Sequence, residues 1–490
     1  MLRLFGNAKR TCDGTTRREL LVAGGLQGLG LGMAGMLGQA HAMPAISDER
    51  PTGKAKSVIC LFLFGGWSQL ETFDMKPEAA AEIRGPYKPI SSTIPGLQVC
   101  EHLPMLSQRM HQVGLIRSLT TNDPTHNTSR VLTGFPSTTR GLTQGGGINP
   151  GIVGDRPYFM SALQYLRERQ GERTDSEQLP PNFCLPNRLG LLEGYNRTGP
   201  YGGILGSRFD PLCTQFGNNG EHLFEPGGVN AETLNFVPDG AVLHPEMTLN
   251  RLDRRRSLLE QVEAQRRDLA ESSAVARYAF REDQVMRLLT SDRIRQVLDL
   301  KREPAELRDK YGWNLFGQSV LLSRRLVENG VPLVTAIWDC TRESQDISLL
   351  GWDTHWDHFK ACEGWLLPGI DRAISALLDD LTARGMLDET LVVVLSEMGR
   401  TPQVNSRSGR DHWTGTFCAL LAGAGIQPGA VYGSSDAIAS YVADLPVSPQ
   451  DLLATVYHTV GYGPETMIYD NQNRPTPLYG EGHAIDGVMA

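Results

Sequence analysis

The sequence predicts an α/β fold: a doubly wound, mostly parallel sheet with helices on both faces. Two patterns carry that expectation. Short, continuous apolar runs recur along the chain, and unbroken runs of this kind belong to strands buried on both faces. Between them lie segments with apolar residues at helical spacing, and strands alternating with helices build a parallel sheet covered on both sides. The composition agrees. Of 490 residues, 40% are hydrophobic and 21% charged, which excludes a disordered chain, a collagen or a coiled coil.

Residues 1–43 read as an address. Arg3, Lys9, Arg10 and the Arg17-Arg18 pair precede a glycine-rich apolar run, and Ala40-His41-Ala42 supplies small residues for cleavage. This is the layout of a twin-arginine export signal. Its apolar run is broken by glycines and falls short of the ~20 strongly apolar residues that a membrane span needs. Removing residues 1–43 takes five basic and two acidic side chains from 47 and 55, leaving a net charge of −11. The expected product is an acidic periplasmic or extracellular protein with no stable membrane span after processing. That charge disfavours a nucleic-acid partner. Of 8 cysteines, Cys60, Cys100, Cys184, Cys213, Cys340, Cys362 and Cys418 remain. There is no CxxC pair, and an odd number leaves at least one thiol without an internal partner.

Residues 44–490 are expected to form a single domain. Ser57–Phe64 (SVICLFLF), closed by Gly65-Gly66, reads as a central strand. Similar runs fall at 113–116, 332–338, 391–395 and 417–422. Helical spacing marks 366–387 and 451–460. The middle differs. Residues 140–246 are rich in Gly, Pro and Asn and read as long loops or small insertions. Residues 247–308 are highly charged and read as helices with a solvated face. Together they make an insertion at about 140–308.

Ligands of a doubly wound sheet sit beyond the carboxyl ends of its strands, so the polar residues following each strand are the candidates. Ser68, Glu71 and Asp74 follow the first. Arg117 and then His126 follow the second. Asp353, His355 and His358 follow the strand at 332–338; Glu397 and Arg400 follow that at 391–395; Arg410 and His412 precede that at 417–422. Asp353, His355, Glu397 and His412 form an oxygen and nitrogen donor set suited to a divalent metal, whether Zn, Ca, Mn or Mg. A carboxylate at Glu397, just beyond a buried strand, is costly if unpaired; a metal or Arg400 satisfies it.

Two segments bear on the nucleophile. Cys184, Pro186 and Arg188 fit C-x-P-x-R, which resembles the sulfatase signature whose cysteine becomes formylglycine. Yet the surroundings read as loop, far beyond the first strand. A role for Cys184 requires it beside the other candidates. The second segment is His126 to Gly134. Its Ser129-Arg130 and Leu132-Thr133-Gly134 echo the same signature with a shortened spacer, and His126 then occupies the cysteine's position. Ser129, Thr125, Thr128 or a metal-activated water are the candidate nucleophiles. His126 is a candidate general acid or additional ligand. Arg130, Arg400 and Arg410 are candidates to stabilise charged ester oxygens.

The chain also resembles a family as a whole. GGWSQLETFDMKP at 65–77, the stretch at 303–335, GWDTH at 351–355, SEMGRTP at 396–402, GRDHW at 409–413, LAGAGIQPGAVYGSSD at 421–436 and NRPTPLYGEG at 473–482 are similar to the planctomycete-type bacterial family catalogued as domain of unknown function 1501. That family is distantly similar to sulfatases and alkaline phosphatases. The resemblance implies an alkaline-phosphatase-like domain. It places Glu397 where the superfamily has a metal-binding aspartate, Met398 where it has a histidine, and His412 as its last metal histidine. Asp353 and His355 take the place of its intermediate Asp/His pair. Gly65-Gly66 replace its first paired aspartates.

The expected function is therefore an exported metal-dependent hydrolase of sulfate or phosphate esters, acting on a small-molecule or carbohydrate ester. The alternative is a catalytically degenerate periplasmic binding or assembly protein of the same fold, which accounts for Met398 and for the missing aspartates.

Overall fold

Ser57–Leu63 is buried along its whole length as strand β1, as its unbroken apolar run requires. The computed structural model describes residues 53–137, 143–144, 155–171, 179–190, 195–196, 199–216, 236–238, 291–339 and 351–490. The export signal expected at 1–43 lies outside them, as does most of the charged stretch 247–308.

Eight further strands join β1 in one sheet: β2 (Val113–Leu119), β3 (Asn182–Leu185), β4 (Leu212–Phe216), β5 (Phe236–Pro238), β6 (Leu333–Trp338), β7 (Thr390–Leu395), β8 (Phe417–Gly423) and β9 (Val431–Tyr432). Their order is β9-β2-β8-β7-β1-β6-β3-β4-β5. The central run β7-β1-β6-β3-β4 is parallel. β8 runs antiparallel to both of its neighbours, β2 and β7. The sheet is thus mostly parallel, with one reversed strand inside it and another, β5, at an edge.

Helices cover both faces. α1 (Ser129–Thr133) follows β2, α2 is Phe159–Arg169, α3 Leu315–Glu328, α4 Leu367–Ala383 and α5 Pro449–Val460. Ile59 and Leu61 of β1, with Val334 and Ala336 of β6, join the core that holds α3 and α4. Alternate residues point the other way. There Tyr158, at the start of α2, hydrogen-bonds Thr335 at 2.8 Å. The N-terminus of α5 is closed by Ser448 and Asp451 in a reciprocal capping box. Among the described residues no helix is long and apolar enough to cross a membrane.

One expectation needs correction. Residues 140–246 are not simply loops or small insertions: they supply β3, β4, β5 and α2. The strands are short and set among Gly and Pro, so no long periodic run announces them. In α2, every residue from Phe159 to Leu166 is buried, so no polar face alternates with an apolar one.

Leu61 is fully buried on the α3/α4 face. Leu61→Ala is expected to lower unfolding free energy by about 2–5 kcal/mol, the usual cost of a large-to-small core change. Urea denaturation measures it; a loss under ~1 kcal/mol would mean that this face is loosely packed.

Candidate functional site

The reversed direction of β8 assembles the site. Parallel strands β1, β6 and β7 end at one edge of the sheet, and an antiparallel strand begins there. Residues that follow β1, β2, β6 and β7 therefore meet residues that precede β8. The end of β1 and the loop bearing Asp353 also touch directly: Trp352 donates its backbone N–H to Phe64 O at 3.2 Å. Gly65 has φ +114, and a Cβ there would collide with the Asp353 backbone nitrogen. Only glycine meets both demands. Gly409 is similarly placed, since a Cβ would run into the His355 carbonyl.

Three imidazoles surround the Asp353 carboxylate. Nε2 of His355 lies 3.0 Å and Nε2 of His412 3.2 Å from Oδ1; Nε2 of His126 lies 3.1 Å from Oδ2. The two nitrogens of His355 and His412 are themselves only 2.9 Å apart. Each ring uses its other nitrogen outward. Nδ1 of His126 meets Glu397 Oε1 at 2.6 Å, Nδ1 of His355 meets Asp411 Oδ1 at 2.7 Å, and Nδ1 of His412 meets Pro124 O at 2.7 Å. A carbonyl and two ionised carboxylates can only accept, so each Nδ1 carries the proton. All three Nε2 atoms are turned inward.

Behind the rings, Glu397 is fully occupied. It accepts from the Gly65 backbone N–H at 2.9 Å and from Ser396 Oγ at 3.1 Å, besides His126. Burial alone pushes its pKa up, but the His126 bond and charge hold the carboxyl below its ordinary value. Burial likewise acts against the charged form of His126, yet Asp353 and Glu397 raise it to about 9. The bond to Asp353 also raises His355. Asp353, despite burial, is held well below the carboxylate range by its three imidazoles and Arg400.

The arginines serve differently from expectation. Arg400 is 0% exposed. It pairs with Asp353 at 2.6 Å rather than with Glu397, and donates to the carbonyls of Gly65, Gly66 and Arg410. It orients Asp353 from a fully enclosed position. Arg410, also wholly buried, pairs with Glu71 at 2.6 Å. Glu71 in turn accepts from His358 Nε2 at 3.0 Å, and His358 Nδ1 accepts from Thr354 Oγ1 at 2.5 Å. His358 is thus buried beneath the Asp353 loop and not at the surface. Asp74 pairs with Lys76 at 3.0 Å and receives Ser435 Oγ.

Ser129 is buried and donates to Phe135 O at 3.1 Å, and Thr125 Oγ1 donates to Asp123 at 2.5 Å. Arg130 Nε is buried and has no hydrogen-bond partner. Cys184 lies inside β3, where its thiol donates to Asn187 O at 3.5 Å, outside the imidazole cluster. His126, Asp353 and His412 offer ligand atoms within 4.8 Å of one another. His355 adjoins two of them, while Glu397 stands behind His126.

The sequence profile of the family described as protein of unknown function (DUF1501) matches residues 55–489. The chain belongs to this family. No curated protein matches it. Solved structures similar to this DUF1501 chain include an alkaline phosphatase superfamily protein from Vibrio parahaemolyticus, with 10% identity, 89% of this chain and 84% of that one covered, and a TM-score of 0.35. A phosphonate monoester hydrolase from Silicibacter pomeroyi shows 13% identity, 83% and 73% coverage and a TM-score of 0.35. A sulfatase from Pseudoalteromonas sp. shows 12% identity, 93% and 72% coverage and a TM-score of 0.33.

The residues missed by sequence reasoning are those that support the rings. Asp411 and Asn405 hold His355; Asn405 donates to Asp411 at 3.2 Å and to His355 O at 3.0 Å. The signal for Asp411 was its place beside His412; nothing in the sequence marks Asn405.

Burial opposes ionisation of Glu71, but Arg410 and His358 bring it down to about 2. A depressed carboxylate contributes stability above its unfolded pKa of ~4.3, lost as pH falls toward the folded value. Wild-type Tm is expected to fall more steeply than that of Glu71→Gln between about pH 4.5 and 2. Parallel curves from differential scanning fluorimetry would contradict this.

Proposed function

We propose that the chain is an exported metal-dependent hydrolase of sulfate or phosphate esters. The observation carrying this reading is the inward turn of three imidazole Nε2 atoms upon one carboxylate. His126 Nε2 is buried and, though 3.1 Å from Asp353, lacks hydrogen-bond geometry to it. The outward nitrogens of all three rings are tied to fixed acceptors, as in metal-ligating histidines. Three nitrogens and one carboxylate suit zinc or a similar transition metal better than calcium or magnesium, which prefer oxygen. The donor set therefore fits the group that the sequence resemblance implies.

His126, His355, His412 and Asp353 would hold the ion. Bound there, it supplies polarisation of an ester oxygen and acidification of the attacking water. Glu397 and Asp411 fix the tautomers of His126 and His355, and Arg400 fixes the Asp353 carboxylate. The partnerless Arg130 Nε is the remaining candidate for a sulfate or phosphate oxygen.

The alternative of a catalytically degenerate binding or assembly protein is favoured by one observation: Ser129 and Arg400, expected to act on substrate, are engaged internally.

The test is metal content of protein purified without added metal, then after zinc reconstitution. Near-stoichiometric metal is expected in the wild type and none in Asp353→Ala or His412→Ala, with unchanged circular dichroism. Glu397→Gln is expected to weaken metal affinity roughly 10–100-fold. Failure of the wild type to bind metal would end the hydrolase reading. Metal without turnover across a panel of sulfate and phosphate esters would favour the binding protein.

A further inference from the structure

Six cysteines lie among the described residues, and none is disulfide-bonded. Cys60 lies beside Tyr158, Cys362 beside His358, and Cys100 and Cys418 are wholly buried in the core. Cys184 and Cys213 are different. They are register partners on the parallel strands β3 and β4. Register partners project from the same face of a sheet, and neighbouring strands lie ~4.8 Å apart. That spacing falls within the ~4.4–6.8 Å Cα separation of bonded cysteines. Cys184 is buried, whereas Cys213 is partly exposed. One thiol is thus open to a reagent, and the other is within its reach.

We propose that Cys184 and Cys213 form an internal disulfide when the folded chain meets a disulfide donor. The Cys213 thiolate attacks one sulfur of the donor, forming a mixed disulfide and expelling the first donor thiol. The Cys184 sulfur then attacks the Cys213 sulfur and expels the second. Two protein thiols are oxidised, one donor disulfide is reduced to two thiols, and the two protein protons end on those thiols. The order follows from the environments. The neighbouring Cys213 sulfur, and then burial, push the Cys184 thiol well above its ordinary value, so the exposed partner reacts first.

The bridge would tie β4, which carries the edge strand β5, to β3 and close the intervening chain into a loop. It gives the Cys184 segment a structural role in place of the formylglycine role that its C-x-P-x-R pattern suggests. It is independent of the metal cluster, whose ligands lie on other strands' ends.

The experiment incubates the folded full-length chain, first fully reduced, with oxidised glutathione, quenches with acid and maps peptides without reductant. The expected result is a cross-linked pair of peptides carrying Cys184 and Cys213, 2 Da lighter than their sum. Tm should also rise relative to the reduced chain, a rise absent in Cys213→Ser. Both thiols free, a glutathione adduct persisting on Cys213, or a bridge from either to Cys340 would overturn the proposal. Metal content should be equal in the reduced and oxidised chains.

Discussion

Asp353 is one carboxylate facing three imidazoles and a guanidinium, and the arrangement around it depends on that charge. Arg400 is wholly buried, and a buried cation needs an ionised partner. Asp353 is that partner, so it is held in place from behind while its front meets the three Nε2 atoms. Removing the carboxylate would leave Arg400 with carbonyl dipoles alone. The rings would lose the one acceptor that they share.

A second buried pair stiffens the same loops from below. Glu71 and Arg410 neutralise one another, and Glu71 reaches Thr354 through His358. Arg410 also passes its carbonyl to Arg400. The two arginines are thereby linked, and the segments 351–358 and 400–413 are bonded to one another. Aromatic contacts extend the support: Trp352, next to Asp353, packs edge-on against both Trp67 and Trp338. The loops thus gain the rigidity that a ligand set needs.

Much of this was legible from where residues stand relative to strands. Asp353 and His355 stood out because they lie in the loop that follows the run 332–338, and His412 because it shortly precedes the run 417–422; the sheet brings such ends together. His126 emerged from its place in a degenerate signature. What stayed hidden is direction and burial. Glu397 was recognised as a costly carboxylate, but a sequence does not show that His126, Gly65 and Ser396 satisfy it. Arg400 and Arg410 read as charges available to substrate because nothing local says that both are enclosed. The segment 140–246 was misread for a different cause: its strands are too short to show a period, and their partners lie far along the chain.

The reversed strand β8 has a consequence for how the protein is made. His126 and Glu397 stand 271 residues apart, and His412 precedes a strand that must insert between β2 and β7. Pairings this distant close late, after the loop-closure entropy has been met. The three imidazoles and Asp353 therefore come together only once β8 is in place. Assembly of the imidazole cluster becomes a mark of finished topology: a chain arrested before β8 inserts would hold only fragments of it.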